Sequence, residues 1–233
     1  MSKKIKERVT VVNDLSPDPG MTEAGEFLEK ITEQVAAFSV KYFEVTEELP
    51  FIYAERQFQS VLLPAIVKVA DAVLVEQPVV RKKKRKRWSG RIDYWVYYKS
   101  IELLIEVKHG WMAIKAPKLR KATQQAWEDA LEQLKTIKKS EAKELGMDSG
   151  EILKIAMIVV PCYQSSQDKN ILLSLDIDSD GMRQKIVDGL DSEPNWSAVW
   201  EVPQAFQLTE AEYEGGRNEI HPCVNFVAKV KTI

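Results

Sequence analysis

Cysteine, histidine and long apolar runs are all scarce in this chain. Its 233 residues include two cysteines and two histidines, and Cys162 and Cys223 each lie in an apolar stretch, far apart. This pattern favours buried, reduced thiols over a disulfide, and it nearly excludes a zinc cluster. No apolar run approaches the roughly 20 residues of a membrane span, and the charged N-terminus lacks the apolar segment of a signal peptide. We therefore expect a cytoplasmic protein with no membrane partner.

Excess charge of either sign is also lacking, but the basic residues are concentrated locally. The formal net charge is −2, which argues against a protein that coats nucleic acid along its whole surface. A continuous basic run nevertheless occupies Arg81, Lys82, Lys83, Lys84, Arg85, Lys86 and Arg87. Such a run cannot be core, so we expect an exposed loop. The loop has no partner, or carries a localisation signal, or contacts nucleic-acid phosphates together with Arg91.

Apolar periodicity predicts the helices. Residues 1–20 read as a flexible leader, because they are polar and end in Pro17, Pro19 and Gly20. A single domain is expected over residues 21–233. Helical spacing of apolar residues predicts helices at about 22–43, 58–69, 118–139 and 182–190. Pro64 interrupts the second of these, which predicts a kink or two short helices.

Strand signals lie between the predicted helices. Three consecutive segments, 72–80, 91–98 and 101–107, read as a meander, with the basic run between the first two. The near-continuous apolar run at 155–160 is typical of a central strand covered on both faces. Weaker strand signals follow near 198–202 and 224–230. The chain is therefore predicted to be an α/β protein.

The hairpin of the last two meander strands carries the informative polar residues. The odd positions from 101 to 107 are apolar, so Glu106 and Lys108 share the other face. With a tight turn at Lys99 and Ser100, residues whose numbers add to 199 face each other. Asp93 then lies opposite Glu106, with about 5 Å between Cβ atoms. The same register predicts one apolar face from three pairs: Ile92 with Val107, Tyr94 with Ile105, and Val96 with Leu103.

Two carboxylates at this spacing require positive charge between them. At about 5 Å and an effective dielectric constant near 20, their repulsion is about 3 kcal/mol. Lys108 can supply part of the charge, and a hard divalent ion that prefers oxygen ligands can supply the rest. The alternative is an exposed ion pair of Glu106 with Lys108, with Asp93 paired to Arg91 or Lys108, which would add little stability.

Asp93, then Glu106-Val107-Lys108 on the next strand, then a helix and a buried strand, resemble the core of the PD-(D/E)XK nuclease superfamily. The resemblance covers about residues 50–162, and Ile92 stands where the family name has a proline. It implies a restriction endonuclease-like fold, a three-layer core in which a mixed central sheet is flanked by helices. It assigns no role to the C-terminal extension, residues 163–233.

The resemblance implies a metal-dependent deoxyribonuclease that hydrolyses phosphodiester bonds. Asp93 and Glu106 would ligate Mg²⁺ or Mn²⁺, the carbonyl of Val107 would complete the shell, and Lys108 would assist the attacking water. The tripeptide Glu-x-Lys is weak evidence by itself, because Glu141-Ala142-Lys143 repeats it in a charged helix. The discrimination therefore comes from the order of the surrounding elements.

Further site residues follow from the same resemblance. Many members add a glutamate from the helix before the meander, and Glu55 is the candidate for a catalytic residue and metal ligand, since its spacing to Phe58 and Leu62 follows the apolar face. Its alternative role is a first-turn carboxylate that favours the helix dipole. Gln124 and Gln125 match a glutamine on the following helix in some groups, and would contact nucleic acid unless they are ordinary surface residues.

Two other functions compete with the nuclease. One is a module of the same fold that binds nucleic acid without cleaving it, and the other is a scaffold protein whose basic loop meets an acidic partner. The sequence favours DNA as the partner, with RNA as the other substrate class. It does not distinguish a monomer from a homodimer.

Overall fold

The computed structural model describes residues 8–53, 55–143, 151–211 and 217–233. In these ranges, one mixed sheet of nine strands is combined with six α-helices. The strands are β1 (Arg8–Asn13), β2 (Ala72–Lys83), β3 (Lys86–Tyr98), β4 (Ile101–His109), β5 (Met112–Ala113), β6 (Glu151–Ser166), β7 (Trp196–Glu201), β8 (Leu208–Ala211) and β9 (Arg217–Thr232). The helices are α1 (Pro19–Thr46), α2 (Glu55–Val69), α3 (Lys121–Lys135), α4 (Lys139–Lys143), α5 (Lys169–Leu173) and α6 (Ser179–Asp188), with a 3-10 helix at Gln204–Phe206.

The main path of the sheet runs β1-β7-β9-β6-β4-β3-β2, with β5 beside β6 and β8 beside β9. β4 and β5 pair with β6 in parallel, and the other pairs are antiparallel. The apolar run at 155–160 lies in β6, between β4 and β9, and all six residues are buried. The central strand predicted there is confirmed.

Helices cover both faces of the sheet. On one face, α1 and α2 pack against the odd positions of β4, and their core includes Phe27, Phe58 and Leu103. On the other face, α3 and α6 supply Trp127 and Met182 to a second core. The predicted α/β class, with a mixed sheet between helices, is confirmed. Within the described ranges, no helix is both long and apolar enough to cross a membrane.

The predicted N-terminal leader needs correction, whereas the predicted C-terminal strands are present. Arg8–Asn13 forms β1, which pairs with β7, and α1 begins at Pro19, so a flexible leader is wrong for residues 8–20; residues 1–7 lie outside the described part. The strands predicted near 198–202 and 224–230 are confirmed as β7 and β9, which lie inside the sheet. The partner of β1, the strand β7, lies far along the chain. A short alternating segment such as 8–13 therefore gave no clear signal.

Two helix predictions also change. Pro64 lies inside α2, which continues as one helix from Glu55 to Val69 rather than dividing into two. The helix predicted over 118–139 is shorter, because α3 ends at Lys135 and α4 follows as a separate element. Ile137 is buried in the connection between them, so the apolar period continues past the end of the helix.

The basic run forms a hairpin instead of a loop. β2 extends to Lys83 and β3 begins at Lys86, and these two residues pair across a turn at Lys84 and Arg85. Acidic partners from the α3 side offset the crowded charge: Lys83 contacts Glu132 at 2.6 Å, and Arg87 contacts Glu141 at 3.5 Å. Ion pairs of this kind explain how like charges on neighbouring strands are tolerated.

The central position of β6 predicts a large cost for any cavity there. Ile155→Ala removes a fully buried side chain and is expected to lower the free energy of unfolding by about 2–5 kcal/mol. The control Val67→Ala, at a side chain that is 55% exposed on α2, should change it by less than about 0.5 kcal/mol. Urea unfolding measures both, and equal effects would contradict the central placement of β6.

Candidate active site

A two-residue turn sets the register of the candidate site. Lys99 and Ser100 have φ of 46° and 70°, the left-handed conformations that a tight hairpin turn with matching twist requires. The pairs Tyr94 with Ile105 and Val96 with Leu103 follow. The predicted register is therefore confirmed from the turn up to these residues.

Counted from the turn, the pairing of β3 with β4 ends at Tyr94 and Ile105, one residue short of Asp93. There the Asp93 side chain replaces a backbone acceptor, because the Val107 N–H donates to its Oδ2 at 2.7 Å. Ile92 packs in the core on the α3 side, whereas Val107 and Tyr94 belong to the opposite core. The predicted pair of Ile92 with Val107 is therefore wrong, and the reason is that side-chain alternation changes at Asp93.

The neighbouring strand is irregular at the same level. Glu76 in β2 has φ of 52°, and it interrupts the pairing between Val75 with Tyr94 and Gln77 with Ile92. A non-glycine residue in this conformation costs free energy and is often found at functional sites. The irregularities of both strands thus meet at Asp93.

The ammonium group of Lys108 lies among three oxygen atoms. Its Nζ is 3.0 Å from Glu106 Oε1, 3.2 Å from the Val107 carbonyl oxygen and 3.9 Å from Asp93 Oδ2. The structure therefore brings the predicted residues Asp93, Glu106, Val107 and Lys108 together. The alternative, an ion pair of Glu106 with Lys108 and of Asp93 with Lys108, is present as a pairing. Its predicted place at an exposed surface is wrong, because the side chain of Glu106 is only 2% exposed.

A second cation, Arg81, approaches Glu106. Its Nη2 is 3.4 Å from Glu106 Oε2 and also donates to the Arg91 carbonyl. Its Nη1 donates to the Gln133 carbonyl at 2.7 Å, at the C-terminal end of α3. Arg81 is thus buried, and its guanidinium binds protein groups rather than facing solvent, so its predicted place in an exposed, phosphate-contacting loop is wrong.

Burial makes ionisation of the two carboxyl groups unfavourable. It raises the pKa of Asp93, against the opposing effects of the Val107 N–H and Lys108, and it raises the pKa of Glu106, with a further increase from Asp93. Burial also opposes the charge on Lys108, but attraction by Glu106 and Asp93 outweighs it and raises that pKa. Burial thus opposes the charge of both carboxylates more strongly than the nearby cations favour it.

Glu55 lies at the margin of this group. Its side chain is half-buried at the start of α2. Burial raises its pKa, the positive charge of Lys108 lowers that pKa, and the negative charge of Asp93 raises it. It is therefore within electrostatic range of both. It makes no hydrogen bond or ion pair with another described residue, and its role as a ligand stays a prediction.

The other predicted nucleic-acid contacts do not join the site. The side-chain amide of Gln124 donates to the Gly189 carbonyl at 2.8 Å, and that of Gln125 donates to Asp129 at 2.9 Å. Arg91 lies 3.5 Å from Glu76 in an exposed ion pair. Five of the basic residues, Lys82, Lys84, Arg85, Lys86 and Arg87, have no contact with Asp93, Glu106 or Lys108 among the described residues. Their binding to nucleic acid stays a prediction.

The oxygen donors at the site are of the type that a hard cation binds, but the acidic side chains among them are few. Two carboxylates and a carbonyl oxygen surround one positive group, and these are ligands that Mg²⁺ accepts while it keeps several waters. In the described part of the chain, however, no three His, Cys, Asp or Glu side chains are grouped so that they could hold a metal ion. The protein ligands would therefore be Asp93, Glu106 and the Val107 carbonyl.

Comparisons of the chain with protein-family models, curated proteins and solved structures found no match. The site geometry is therefore the basis for any functional inference.

Arg81 and Glu76 are the two site residues that sequence reasoning missed. For Arg81 a partial signal existed, because the alternation of β2 buries Val79 and then Arg81, although Lys83 two residues later is exposed. Glu76 gave no signal, because a left-handed conformation is not typical of a glutamate inside a strand. Continuing the strand pattern through the charged residues would have identified Arg81 alone.

The buried contact of Arg81 with Glu106 predicts a large effect of removing one partner. Arg81→Met is expected to lower the free energy of unfolding by about 3–5 kcal/mol, because Glu106 loses a buried counterion. Lys83→Met, on the same strand, breaks an exposed pair and should cost at most about 1 kcal/mol. Urea unfolding in the wild-type and Glu106→Gln backgrounds gives the coupling. An unchanged cost of Arg81→Met in the Glu106→Gln background would contradict the pairing.

Proposed function

We propose that the chain is a metal-dependent phosphodiesterase acting on nucleic acid, with a restriction endonuclease-like fold. The single observation that carries this proposal is the Lys108 ammonium held among oxygens of Glu106, Val107 and Asp93, where two strands stop pairing. A cation-binding group of oxygens next to an amine is the combination that phosphate hydrolysis requires.

The order of elements supports the fold assignment. α2 precedes the antiparallel meander of β2, β3 and β4, and α3 then leads to β6, which lies parallel to β4. This order agrees with the helix and buried strand that follow the lysine strand in the PD-(D/E)XK superfamily. β1, β7 and β9 extend the sheet beyond the stretch that the resemblance covers.

Each residue has a distinct part in the proposed reaction. The Val107 N–H fixes the orientation of Asp93, and Arg81 fixes that of Glu106. These two carboxylates would hold Mg²⁺ or Mn²⁺, which neutralises phosphate charge and lowers the pKa of a coordinated water. Lys108 carries a full positive charge beside them, and it would orient the attacking water or stabilise the charge that develops on the phosphate.

A second candidate is a module of the same fold that binds nucleic acid without cleaving it. It is favoured by the pairing of Lys108 with both carboxylates, since the ammonium already balances part of their charge. The grouping of only two carboxylates near Lys108, with Glu55 at the margin, favours it as well. This candidate predicts salt-dependent binding and no cleavage with either metal.

Cleavage assays distinguish the two candidates. Purified protein is incubated with Mn²⁺ or Mg²⁺ and with linear, circular, branched and single-stranded DNA, with RNA in parallel. Lys108→Ala is expected to lower the cleavage rate by about 10²–10³-fold, since it removes charge stabilisation at the phosphate. The matched control Lys68→Ala, at an exposed lysine of α2, should cleave like the wild type. Equal cleavage by all three proteins would indicate a contaminating nuclease.

Metal binding tests the same site without the reaction. Titration calorimetry with Mn²⁺ is expected to show that Asp93→Asn binds at least about tenfold more weakly, because the site loses a charged oxygen ligand. Lys108→Ala should bind Mn²⁺ at least as well as the wild type, because an ammonium that contacts the same oxygens is removed. Unchanged Mn²⁺ affinity in Asp93→Asn would exclude Asp93 as a ligand.

A further inference from the structure

The chain segments that follow the candidate site lie beyond the C-terminal end of β4, beside the last part of β6. β4 ends at His109, and the parallel strand β6 passes the level of Trp111 and Met112 before it ends. Trp111 lies three residues after Lys108, so the two Cα atoms are at most about 11 Å apart. Trp111 therefore follows the candidate site closely along the chain.

Partly exposed aromatic side chains lie at these strand ends. The rings of Trp111 and Tyr163 make a T-shaped contact at 5.8 Å between centroids, and neither side chain is fully buried. Buried rings support them from beneath: His221 is 6.3 Å from Trp111 and 6.5 Å from Tyr163, and Phe51 is 6.3 Å from His221. In a T-shaped pair, neither ring is stacked in parallel on the other, and the packed rings next to the pair hold it in place.

A basic segment continues from the aromatic pair. Residues 110–127 contain no acidic residue, and Lys115, Lys118, Arg120 and Lys121 are all exposed. Arg120 lies over the Tyr163 ring, with its guanidinium carbon 5.2 Å from the ring centroid, and it donates to the Tyr163 hydroxyl. None of these four cations forms an ion pair with any other residue that the structure describes. Lys185 of α6 donates to the Ala116 carbonyl and holds the segment against the fold.

The basic hairpin differs from this segment, because several of its cations have acidic partners. Three of its cations, Arg81, Lys83 and Arg87, have acidic partners within the protein. Its exposed aromatic residue, Trp88, is 41% exposed and lies beside Glu132 and Asp129 in a pocket of about 350 Å³. The strand-end segment has the lower density of basic residues, but its charge is not paired.

We propose that this strand-end surface, formed by Trp111, Tyr163, Lys115, Lys118, Arg120 and Lys121, binds a single-stranded segment of nucleic acid. Its rings stack on unpaired bases, and its cations contact the phosphates of the same strand. A base within a duplex cannot present its face to a side chain at the surface, so this combination selects unpaired strands. The inference rests on the proposed phosphodiesterase function only for the position of the scissile phosphate, and the binding is measured without metal.

The stacking part of the proposal is tested in EDTA by fluorescence anisotropy, with a labelled oligothymidine of about 15 nucleotides and a blunt duplex of equal length. The wild type is expected to bind the single strand at least about tenfold more tightly than the duplex. Trp111→Ala should weaken single-strand binding about tenfold, the effect of losing one stacked base. Trp88→Ala on the hairpin is the matched control and should leave it unchanged.

The charge part uses exposed residues, so it does not depend on how Trp111→Ala folds. The double variant Lys115→Ala, Lys118→Ala should flatten the slope of log affinity against log salt by about 1.4, since each single-strand phosphate contact contributes about 0.7. The double variant Lys84→Ala, Lys86→Ala removes two exposed lysines of the hairpin and should change the slope by less than the strand-end double variant does. Circular dichroism confirms that each variant is folded.

The outcomes separate this proposal from the proposed function. Equal affinity for duplex and single strand, or a larger loss from the hairpin variants than from the strand-end variants, would overturn the strand-end surface. Single-strand binding that needs Trp111 and the two lysines, together with no cleavage by any metal, would support the surface and reject the phosphodiesterase. Cleavage lost in Lys108→Ala with unchanged binding would support both.

Discussion

The burial of Glu106 between two cations is the constraint on which the rest of the site depends. An ionised carboxylate that is 2% exposed is costly by several kcal/mol unless positive groups and hydrogen bonds compensate it. Lys108 and Arg81 supply that charge from the two sides, through Oε1 and Oε2. Because Arg81 also binds the carbonyls of Gln133 and Arg91, the same charge that stabilises Glu106 connects β2, β3, β4 and α3.

The end of the pairing between β3 and β4 and the placement of the site residues both follow from one contact of Asp93. Asp93 accepts the N–H of Val107, so a side-chain carboxylate takes the place of a backbone carbonyl in the sheet. The strands therefore stop pairing where the acidic residues lie, and Ile92, next to Asp93, packs on the α3 side of the sheet. The direct opposition of Asp93 and Glu106 that the predicted register gives is therefore absent, because the paired residues end at Tyr94 and Ile105.

Local features of the sequence were sufficient for the turn and for most of the site. Lys99 and Ser100 and the alternation of β4 fix the register over a few residues, so Asp93, Glu106 and Lys108 could be placed together. The partners of Arg81 and the existence of β1 could not be predicted in the same way. Arg81 is buried only because Glu106 and the end of α3 accept it, and β1 exists only because β7, far along the chain, pairs with it. Both depend on partners that periodicity does not identify.

The two basic surfaces show why charge density alone is a poor guide to nucleic-acid binding. The hairpin has the denser run, yet Arg81 stabilises a buried carboxylate and Lys83 and Arg87 face acidic residues of the α3 side. A cation that already has an acidic partner gains less from a phosphate, because binding must first replace that partner. The strand-end cations have no such cost, and Trp111 and Tyr163 add a contact that depends on unpaired bases. Cations that have no acidic partner among the described residues, next to partly exposed rings, are therefore the stronger argument for where a strand would lie.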